Sequence, residues 1–276
     1  YWPYSAHAGS NPEAVAVSLP AFQARYGIDP QSYFAEAIEE NLRQGLLEKS
    51  GQPPAAMLAA VPVEYGQHHG IWLCGAAGAQ GVPLDRLLPK LIESCLRAYG
   101  ASGFDFAVMT SDGTQNAETL KALGFAGQLP LRLLQIPIRR DLLAQAVFDS
   151  LTVHKLVEMR HIYQPGCICL PEQAMNEIMT QLYRRGLTVV SNRRGYGLYY
   201  TKGDTLQFLE LQADNDHCAD LLLQAAREKT GAQNARILLA ENQTLYLGAG
   251  RRCGYGMIAF LGRPFPTTDA YFRMLL

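Results

Sequence analysis

Residues 71–110, IWLCGAAGAQGVPLDRLLPKLIESCLRAYGASGFDFAVMT, decide the fold class of this chain. The stretch opens on an apolar segment and continues through a glycine-rich loop at residues 75–81. Apolar residues then recur from Leu84 to Leu96 at the i, i+3, i+4, i+7 spacing of a helix that faces a core. Residues 104–110 are apolar enough to form a central strand covered on both faces. The sequence therefore predicts an α/β protein.

The rest of the first half predicts further helices and an antiparallel meander. Turn-forming runs, SGQPP at residues 50–54 and GQHH at residues 66–69, separate short strand-like segments. An Asp29-Pro30 pair is typical of a helix start. The predicted elements are helices at residues 20–44 and 116–123 and strands at residues 45–48, 55–63, 70–75 and 131–138.

Past Arg139 and Arg140 the same succession begins again. The predicted elements are helices at residues 141–148, 171–185 and 216–229 and strands at residues 187–191, 197–201, 205–211 and 235–240. No residue-level identity supports a repeat, so the likeness concerns architecture alone. We expect two tandem α/β units, residues 1–140 and 141–276, stacked as a covalent pseudo-dimer. A single continuous sheet would contradict this arrangement.

Composition limits the partners and the compartment. The 276 residues carry 24 Lys and Arg against 25 Asp and Glu, so no summed field favours nucleic acid or an anionic membrane. No apolar run approaches the ~18–20 residues that span a bilayer, and the first residues do not have the pattern of a signal segment. We expect a cytoplasmic protein whose partner is a small molecule or none.

The six cysteines are scattered through apolar patterns, and we expect reduced core thiols. Cys167 and Cys169 could instead join His161 or the His217-Cys218 pair at a metal ion. A C-x-C spacing is not the usual zinc spacing, so we expect no metal site. The sequence also contains no P-loop, dinucleotide fingerprint, H-E-x-x-H or G-x-S-x-G motif, which excludes several common enzyme classes at this level.

Residues 55–125 resemble the GNAT (general N-acetyltransferase) superfamily, in which a strand leads through a Q/R-x-x-G-x-G/A loop into a helix. Here Gly81 matches the loop, Gly78 replaces the Q/R, and Pro83 replaces the last small residue. The resemblance implies that backbone N–H groups of the loop and the helix N-terminus hold an acyl-CoA pyrophosphate, and Pro83 removes one donor. The implied co-substrate is acetyl-CoA, and the implied binding residues are Leu73, Cys74, Gly75, Gly78, Ala79, Gln80, Gly81, Val82, Pro83, Leu84 and Asn116.

Three further segments carry the resemblance. NAETLKALGF at residues 116–125 resembles the helix that precedes the last strands of the family, and YGIDP at residues 26–30 resembles the entry to its second helix. GYGMI at residues 254–258 with DAYF at residues 269–272 resembles the ending of larger two-unit acetyltransferases of the enhanced-intracellular-survival type. We therefore expect a GNAT-like, mixed and mostly antiparallel sheet with flanking helices, in two tandem GNAT-like units.

The second unit departs from the coenzyme-binding pattern. Residues 205–211 run through Ala213-Asp214-Asn215 straight into the next helix, with no glycine loop. Asp214 and Asp216 would repel a pyrophosphate at that helix N-terminus. We assign this unit no cofactor.

Candidate catalytic residues are Glu64, Tyr65 and His69, beside His68. A carboxylate or imidazole there could deprotonate an amine, but a solvated hairpin turn is the alternative, and Tyr65 equally suits the edge of a core. In the resemblance a tyrosine four residues before a Gly-Phe pair often protonates the departing thiolate, and that position is Leu120.

Two arginine pairs and a set of glycines have alternative interpretations. The pairs Arg193-Arg194 and Arg251-Arg252 suit either anion binding or exposed hairpin charges. Six glycines are spaced like turns between short strands, namely Gly195, Gly197, Gly248, Gly250, Gly254 and Gly256. Two functions remain: an acyl-CoA-dependent N-acetyltransferase for an unidentified amine, or a catalytically weak or inactive GNAT-like binding or regulatory protein.

Overall fold

The computed structural model describes residues 56–78, 84–111, 114–140, 150–243 and 245–275. The elements predicted at residues 20–44, 45–48 and 141–148 lie outside these ranges. Within them, no helix has the length and apolar character that crossing a membrane requires.

The chain divides into two compact units, each drawn from separate segments. The first comprises Tyr1–Gln128, Cys169–Glu177 and Gly256–Thr267, and the second comprises Leu129–Ile168, Ile178–Tyr255 and Thr268–Leu276. The division is therefore not a single cut, and the boundary expected after residue 140 falls inside the first segment of the second unit.

The first unit begins with the predicted hairpin. Strand β1 (Ala56–Tyr65) pairs antiparallel with β2 (His68–Gly78) across a two-residue turn. Helix α1 (Leu84–Ala101) then leads to β3 (Phe106–Thr110), which runs parallel to β2. Helix α2 (Thr114–Ala122) follows. Strand β9 (Arg251–Phe260), from the far end of the chain, pairs antiparallel with β3.

The apolar stripe of α1 packs on this sheet as predicted. Leu91, Ile92 and Cys95 are each buried and belong to one cluster with Leu73 of β2 and Ala107 of β3. Burying one such aliphatic side chain stabilises the fold by about 1.5–3 kcal/mol. The stripe therefore holds the helix against the strands that border it in sequence.

The second half of the chain supplies the remaining elements. They are β4 (Gly127–Pro137), α3 (Val153–Tyr163), α4 (Glu172–Arg184), β5 (Thr188–Asn192), β6 (Gly195–Lys202), β7 (Thr205–Ala213), α5 (Asp216–Thr230) and β8 (Asn234–Ala240). Strands β5 to β7 form an antiparallel meander, β7 runs parallel to β8, and β8 pairs antiparallel with β4.

The nine strands of the described ranges belong to one mixed, mostly antiparallel sheet in the order β1-β2-β3-β9-β4-β8-β7-β6-β5. The prediction of stacked units with separate sheets is wrong in this respect, because β4 and β9 each have residues in both units. Both halves nevertheless contain the predicted succession of antiparallel strands, a helix and a returning parallel strand.

Four of the six glycines predicted to be turns lie inside strands. Gly195 and Gly197 belong to β6, where a Cβ would lie 2.5 Å from the carbonyl oxygen of Gln212 and 2.6 Å from the ring of Phe208, respectively. Gly254 and Gly256 belong to β9. Only Gly248 and Gly250 of the set lie in a loop, with φ values of 133° and 64°. Close approach of atoms from the adjacent strand, and not a turn, therefore explains the glycines of β6.

Candidate functional site

The parallel strands β2 and β3 separate before β2 ends. Their register runs from the pair Gly70 and Phe106 to the pair Leu73 and Met109. Strand β2 continues to Gly78 in antiparallel register with β1. Among the described residues, the last part of β2 is thus paired on one side only, which leaves an opening between β2 and β3.

Four of the residues that the resemblance assigned to the coenzyme lie on β2 at or beyond the end of its register with β3. Leu73 ends the parallel register, and Cys74, Gly75 and Gly78 lie on the part of β2 that has left β3. Leu84 is the first residue of α1 and Asn116 the third residue of α2. The remaining assigned residues, Ala79, Gln80, Gly81, Val82 and Pro83, lie outside the described ranges.

The open end of β2 consists of small residues, CGAAG at positions 74–78. Small side chains let a ligand approach the backbone closely. Helix α1 follows this segment, and a helix N-terminus attracts anions through its unpaired N–H groups and its dipole. A strand edge suited to a polar ligand is therefore followed along the chain by a helix N-terminus of the kind that suits a phosphate.

Cys74 directly follows Leu73, the last residue of β2 in the parallel register. Its thiol is half-buried, and burial raises its pKa well above the ordinary value. The thiolate is the reactive form of cysteine, so a raised pKa keeps this thiol neutral and unreactive at physiological pH. Cys74 is therefore not suited to covalent catalysis.

Glu64 and Tyr65 end β1 and His69 is near the start of β2, so all three lie beside the β1–β2 turn. Glu64 and His69 are cross-strand partners, with Nδ1 of His69 3.9 Å from Oε1 of Glu64 and both side chains about 70% exposed. Cys74 is five residues further along β2, which is about 16 Å in a strand. The structure brings Glu64 and His69 together but does not bring them to the opening.

His68 has a packing role at this end of the strand. Its ring stacks on Phe265 with centroids 3.7 Å apart, and its Nδ1 lies 3.6 Å from Oδ2 of Asp105. The same carboxylate oxygen accepts the backbone N–H of His69 at 3.0 Å, and Tyr65 also lies beside Phe265. Sequence reasoning missed Asp105 and Phe265, because only the fold brings them to the β1–β2 turn.

Strands β7 and β8 repeat the geometry of β2 and β3. Their parallel register runs from the pair Thr205 and Asn234 to the pair Phe208 and Ile237. Strand β7 stays paired with β6 as far as Ala213. Helix α5 follows after two residues. The second unit thus has its own pair of separating parallel strands ahead of a helix.

Gln243 fills the gap between β7 and β8. Its Nε2 donates to the carbonyl oxygen of Leu211 and to Oε1 of Gln212, both at 2.9 Å. Its Oε1 accepts the backbone N–H of Ala240 at 3.0 Å. Leu211 and Ala240 each lie three residues beyond the last parallel pair of their strands. A side-chain amide of the chain itself therefore occupies the place where a ligand would bridge the two strands.

The N-terminus of α5 is also occupied by the chain. The side chain of Asn215 accepts the N–H of Cys218 at 3.0 Å, and Asp216 accepts the N–H of Tyr246 at 2.8 Å. Asp216, which was predicted to repel a phosphate, thus holds a loop at this helix end. Arg132 pins the same loop by donating to three backbone carbonyls, those of Leu245, Tyr246 and Gly248.

The other residues singled out in the sequence have structural surroundings. Leu120 is 2% exposed in the core of the first unit. Arg194 forms an ion pair with Asp214, and Arg252 forms one with Glu241. All six cysteines are free thiols. In the described ranges, no group of three or more His, Cys, Asp or Glu side chains is placed to hold a metal ion.

No protein-family model and no curated protein matches this sequence. Solved structures match most of it. A probable N-acyltransferase from Enterococcus faecalis superposes with a TM-score of 0.63 at 8% identity, covering 88% of this chain and 69% of that one. A GCN5-related N-acetyltransferase from Anabaena variabilis superposes with a TM-score of 0.57 at 14% identity, covering 91% of this chain and 72% of that one. Eis1 from Mycobacterium abscessus superposes with a TM-score of 0.56 at 11% identity, covering 90% of this chain and 73% of that one.

The chain has the GCN5-related N-acetyltransferase fold. The GNAT resemblance of residues 55–125 is confirmed, as is the mixed sheet with flanking helices. At these identities the likeness establishes the GNAT fold alone, because one fold carries many functions.

Proposed function

We propose that the first unit binds an acyl-CoA, acetyl-CoA in the first instance, at the opening between β2 and β3 and transfers the acyl group to a small-molecule amine. The observation that carries the proposal is the separation of the two parallel strands after Leu73 and Met109, ahead of the N-terminus of α1. Structural neighbours named as N-acetyltransferases support acyl transfer as the chemistry.

The second unit supports the same location by contrast. Its strands separate in the same way, yet Gln243 and the loop held by Asp216 and Arg132 take up that place. In the first unit, the corresponding part of β2 carries the small residues of positions 74–78 and leads to the predicted pyrophosphate loop. The proposal therefore assigns one coenzyme to the first unit and none to the second.

The proposed transfer requires a carbonyl-polarising group and a path for protons. The amine nitrogen attacks the thioester carbonyl carbon, the C–S bond breaks, the amine loses one proton, and the coenzyme thiolate gains one. Backbone N–H groups on the open edge of β2 are suited to stabilising the carbonyl oxygen as negative charge develops. Glu64 and His69 remain the predicted bases, and over about 16 Å of strand they would receive the proton through water.

A GNAT-like binding or regulatory protein with little or no turnover is the second candidate. The observation that favours it is the buried side chain of Leu120, which has no acidic proton to donate at the position where the resemblance places the acid. Losing a positioned acid typically lowers the rate by ~10²- to 10⁴-fold. This candidate predicts that acetyl-CoA binds while transfer to a panel of amines stays far below the roughly 1–10³ s⁻¹ of ordinary enzymes.

Isothermal titration with acetyl-CoA and with CoA tests the proposal. The native chain should bind both, and Gly81→Asp should weaken binding by roughly tenfold or more, because a carboxylate in the predicted loop repels the pyrophosphate. The matched control is Thr201→Asp, which adds the same charge at an exposed position of β6. Absence of heat and of any thermal shift with the native chain at millimolar ligand would remove the proposal. Equal weakening in both variants would remove the assigned location.

A further inference from the structure

A cavity of about 330 Å³ lies beside the C-terminal part of α5 in the second unit. Its lining consists of Arg139, Arg140, Gln224, Arg227, Glu228 and Gly231. The volume is at the lower end of the ~300–1,000 Å³ range of small-molecule pockets and would hold roughly ten water molecules. The cavity therefore suits a ligand of amino-acid size.

The two sides of the cavity come from different elements. Gln224, Arg227 and Glu228 share one face of α5, since positions three and four apart are neighbours on a helix. Arg139 and Arg140 follow the end of β4. A hydrogen bond from Nη1 of Arg227 to the carbonyl oxygen of Ile138 joins these two sides. The cavity is thus held between a helix and a strand end.

The charge of the lining favours an anion. Three guanidinium groups face one carboxylate, that of Glu228. Burial raises the pKa of Asp220, and the positive charge of Arg139 partly offsets this rise. Arg140 makes no side-chain hydrogen bond or ion pair with any residue of the described ranges, and its side chain is exposed. Guanidinium groups bind carboxylates and phosphates through paired N–H donors.

Gln224 adds a requirement of the opposite kind. Its Oε1 is buried and has no hydrogen-bond partner among the described residues. Buried acceptors are nearly always paired in folded proteins, so this oxygen is an acceptor that lacks a hydrogen-bond donor. A ligand that satisfied the whole lining would bring a negative group to the arginines and an N–H or O–H group to Gln224.

We infer that this cavity binds a small anion of amino-acid size that carries a carboxylate or phosphate group together with an N–H or O–H donor. The site shares no residue with the opening between β2 and β3, so it stands independently of the proposed acyl transfer.

Isothermal titration of the full chain with three probes tests the inference. L-glutamate and O-phosphoserine carry both required groups, whereas glutarate has the two carboxylates of glutamate without its amino group. Glutamate, phosphoserine or both should bind, and the tighter of the two identifies the negative group as carboxylate or phosphate. Glutarate should bind at least several-fold more weakly than glutamate, because the buried oxygen of Gln224 then stays unpaired.

Variants locate the binding. Arg140→Gln should weaken it by roughly tenfold or more through loss of a charge-assisted contact, whereas Arg193→Gln, at an exposed arginine of the same unit, should leave it unchanged. Gln224→Leu should abolish the preference for glutamate over glutarate. Thermal unfolding of each variant verifies that it is folded. No heat with any probe at millimolar concentration, or equal effects of Arg140→Gln and Arg193→Gln, would overturn the inference. Equal binding of glutamate and glutarate by the native chain would overturn the assigned role of Gln224.

Discussion

The buried carboxylate of Glu210 depends on a complete set of donors. It accepts Nε of Arg160 at 3.0 Å, the hydroxyl of Tyr196 at 2.9 Å and the hydroxyl of Tyr271 at 3.0 Å. All four side chains are at most 1% exposed. Removing charges from water costs several kcal/mol per ion, which such a set offsets only when every member is present. These contacts fix α3 and the C-terminal segment against β6 and β7.

Arg160→Met should therefore be strongly destabilising. The variant leaves the Glu210 carboxylate buried without a cation, which typically costs about 3–5 kcal/mol and lowers the melting temperature by roughly 6–20 °C. Thermal unfolding followed by circular dichroism measures the shift. Arg193→Met, which removes an exposed arginine, is the control and should change stability by no more than about 0.5 kcal/mol. Similar melting temperatures for the two variants would contradict this interpretation of the network.

The two tyrosines of the network predict a loss of stability at alkaline pH. Burial, reinforced by the charge of Glu210, raises the pKa of Tyr196 and of Tyr271 well above their ordinary values. The unfolded chain loses these protons near pH 10 while the folded chain retains them, so their contribution is complete below pH 10 and falls as the pH rises further. Above pH 10, each tyrosine lowers the free energy of unfolding by up to about 1.4 kcal/mol per pH unit. Urea unfolding between pH 9 and 11 should give a shallower decline for Tyr271→Phe than for the exposed control Tyr246→Phe.

At the scale of elements, the parallel pairing of β2 with β3 depends on a glycine at the end of the register away from the opening. A Cβ at Gly70 would lie 2.4 Å from the ring of Phe106, its partner in the parallel register. That ring is fully buried and contacts Phe265 edge-on, so it has little room to move. The pairing of β2 with β3 therefore requires glycine at this position.

Gly70→Ala should destabilise the chain by about 1–3 kcal/mol, the usual cost of overpacking a core. Gly254→Ala is the matched control, because no atom lies within 4 Å of the Cβ that it would add. Chemical denaturation of both variants provides the comparison. A Gly70→Ala chain as stable as Gly254→Ala would show that β2 and β3 adjust to a methyl group between them.

Elements with regular apolar spacing were predictable, and those defined by distant partners were not. The strands and helices from β1 to α2 follow such spacing and appear close to their predicted bounds. Helix α3 was missed because a buried position is occupied by Arg160, whose partner Glu210 is 50 residues away. Strand β9 was missed because its glycines resemble turns. Coenzyme-binding residues were assigned through the resemblance, whereas the role of Gln243 depends on partners about 30 residues distant in sequence.

At the scale of the whole molecule, two similar arrangements with different contents predict a stoichiometry. Because Gln243 already bridges β7 and β8, the native chain should bind one acyl-CoA and not two. Isothermal titration with a chain concentration measured independently gives the ratio directly. A ratio near two would show that the side chain of Gln243 leaves its place for a ligand.

The pairing of β9 with β3 affects the order in which the protein can fold during its synthesis. Phe106 to Thr110 leave the ribosome about 150 residues before Gly256 to Phe260, the residues that pair with them on one side. At about 5–20 residues per second, the interval is on the order of ten seconds. Throughout it the nascent chain exposes an apolar strand edge, the kind of surface that invites misassembly and that chaperones cover.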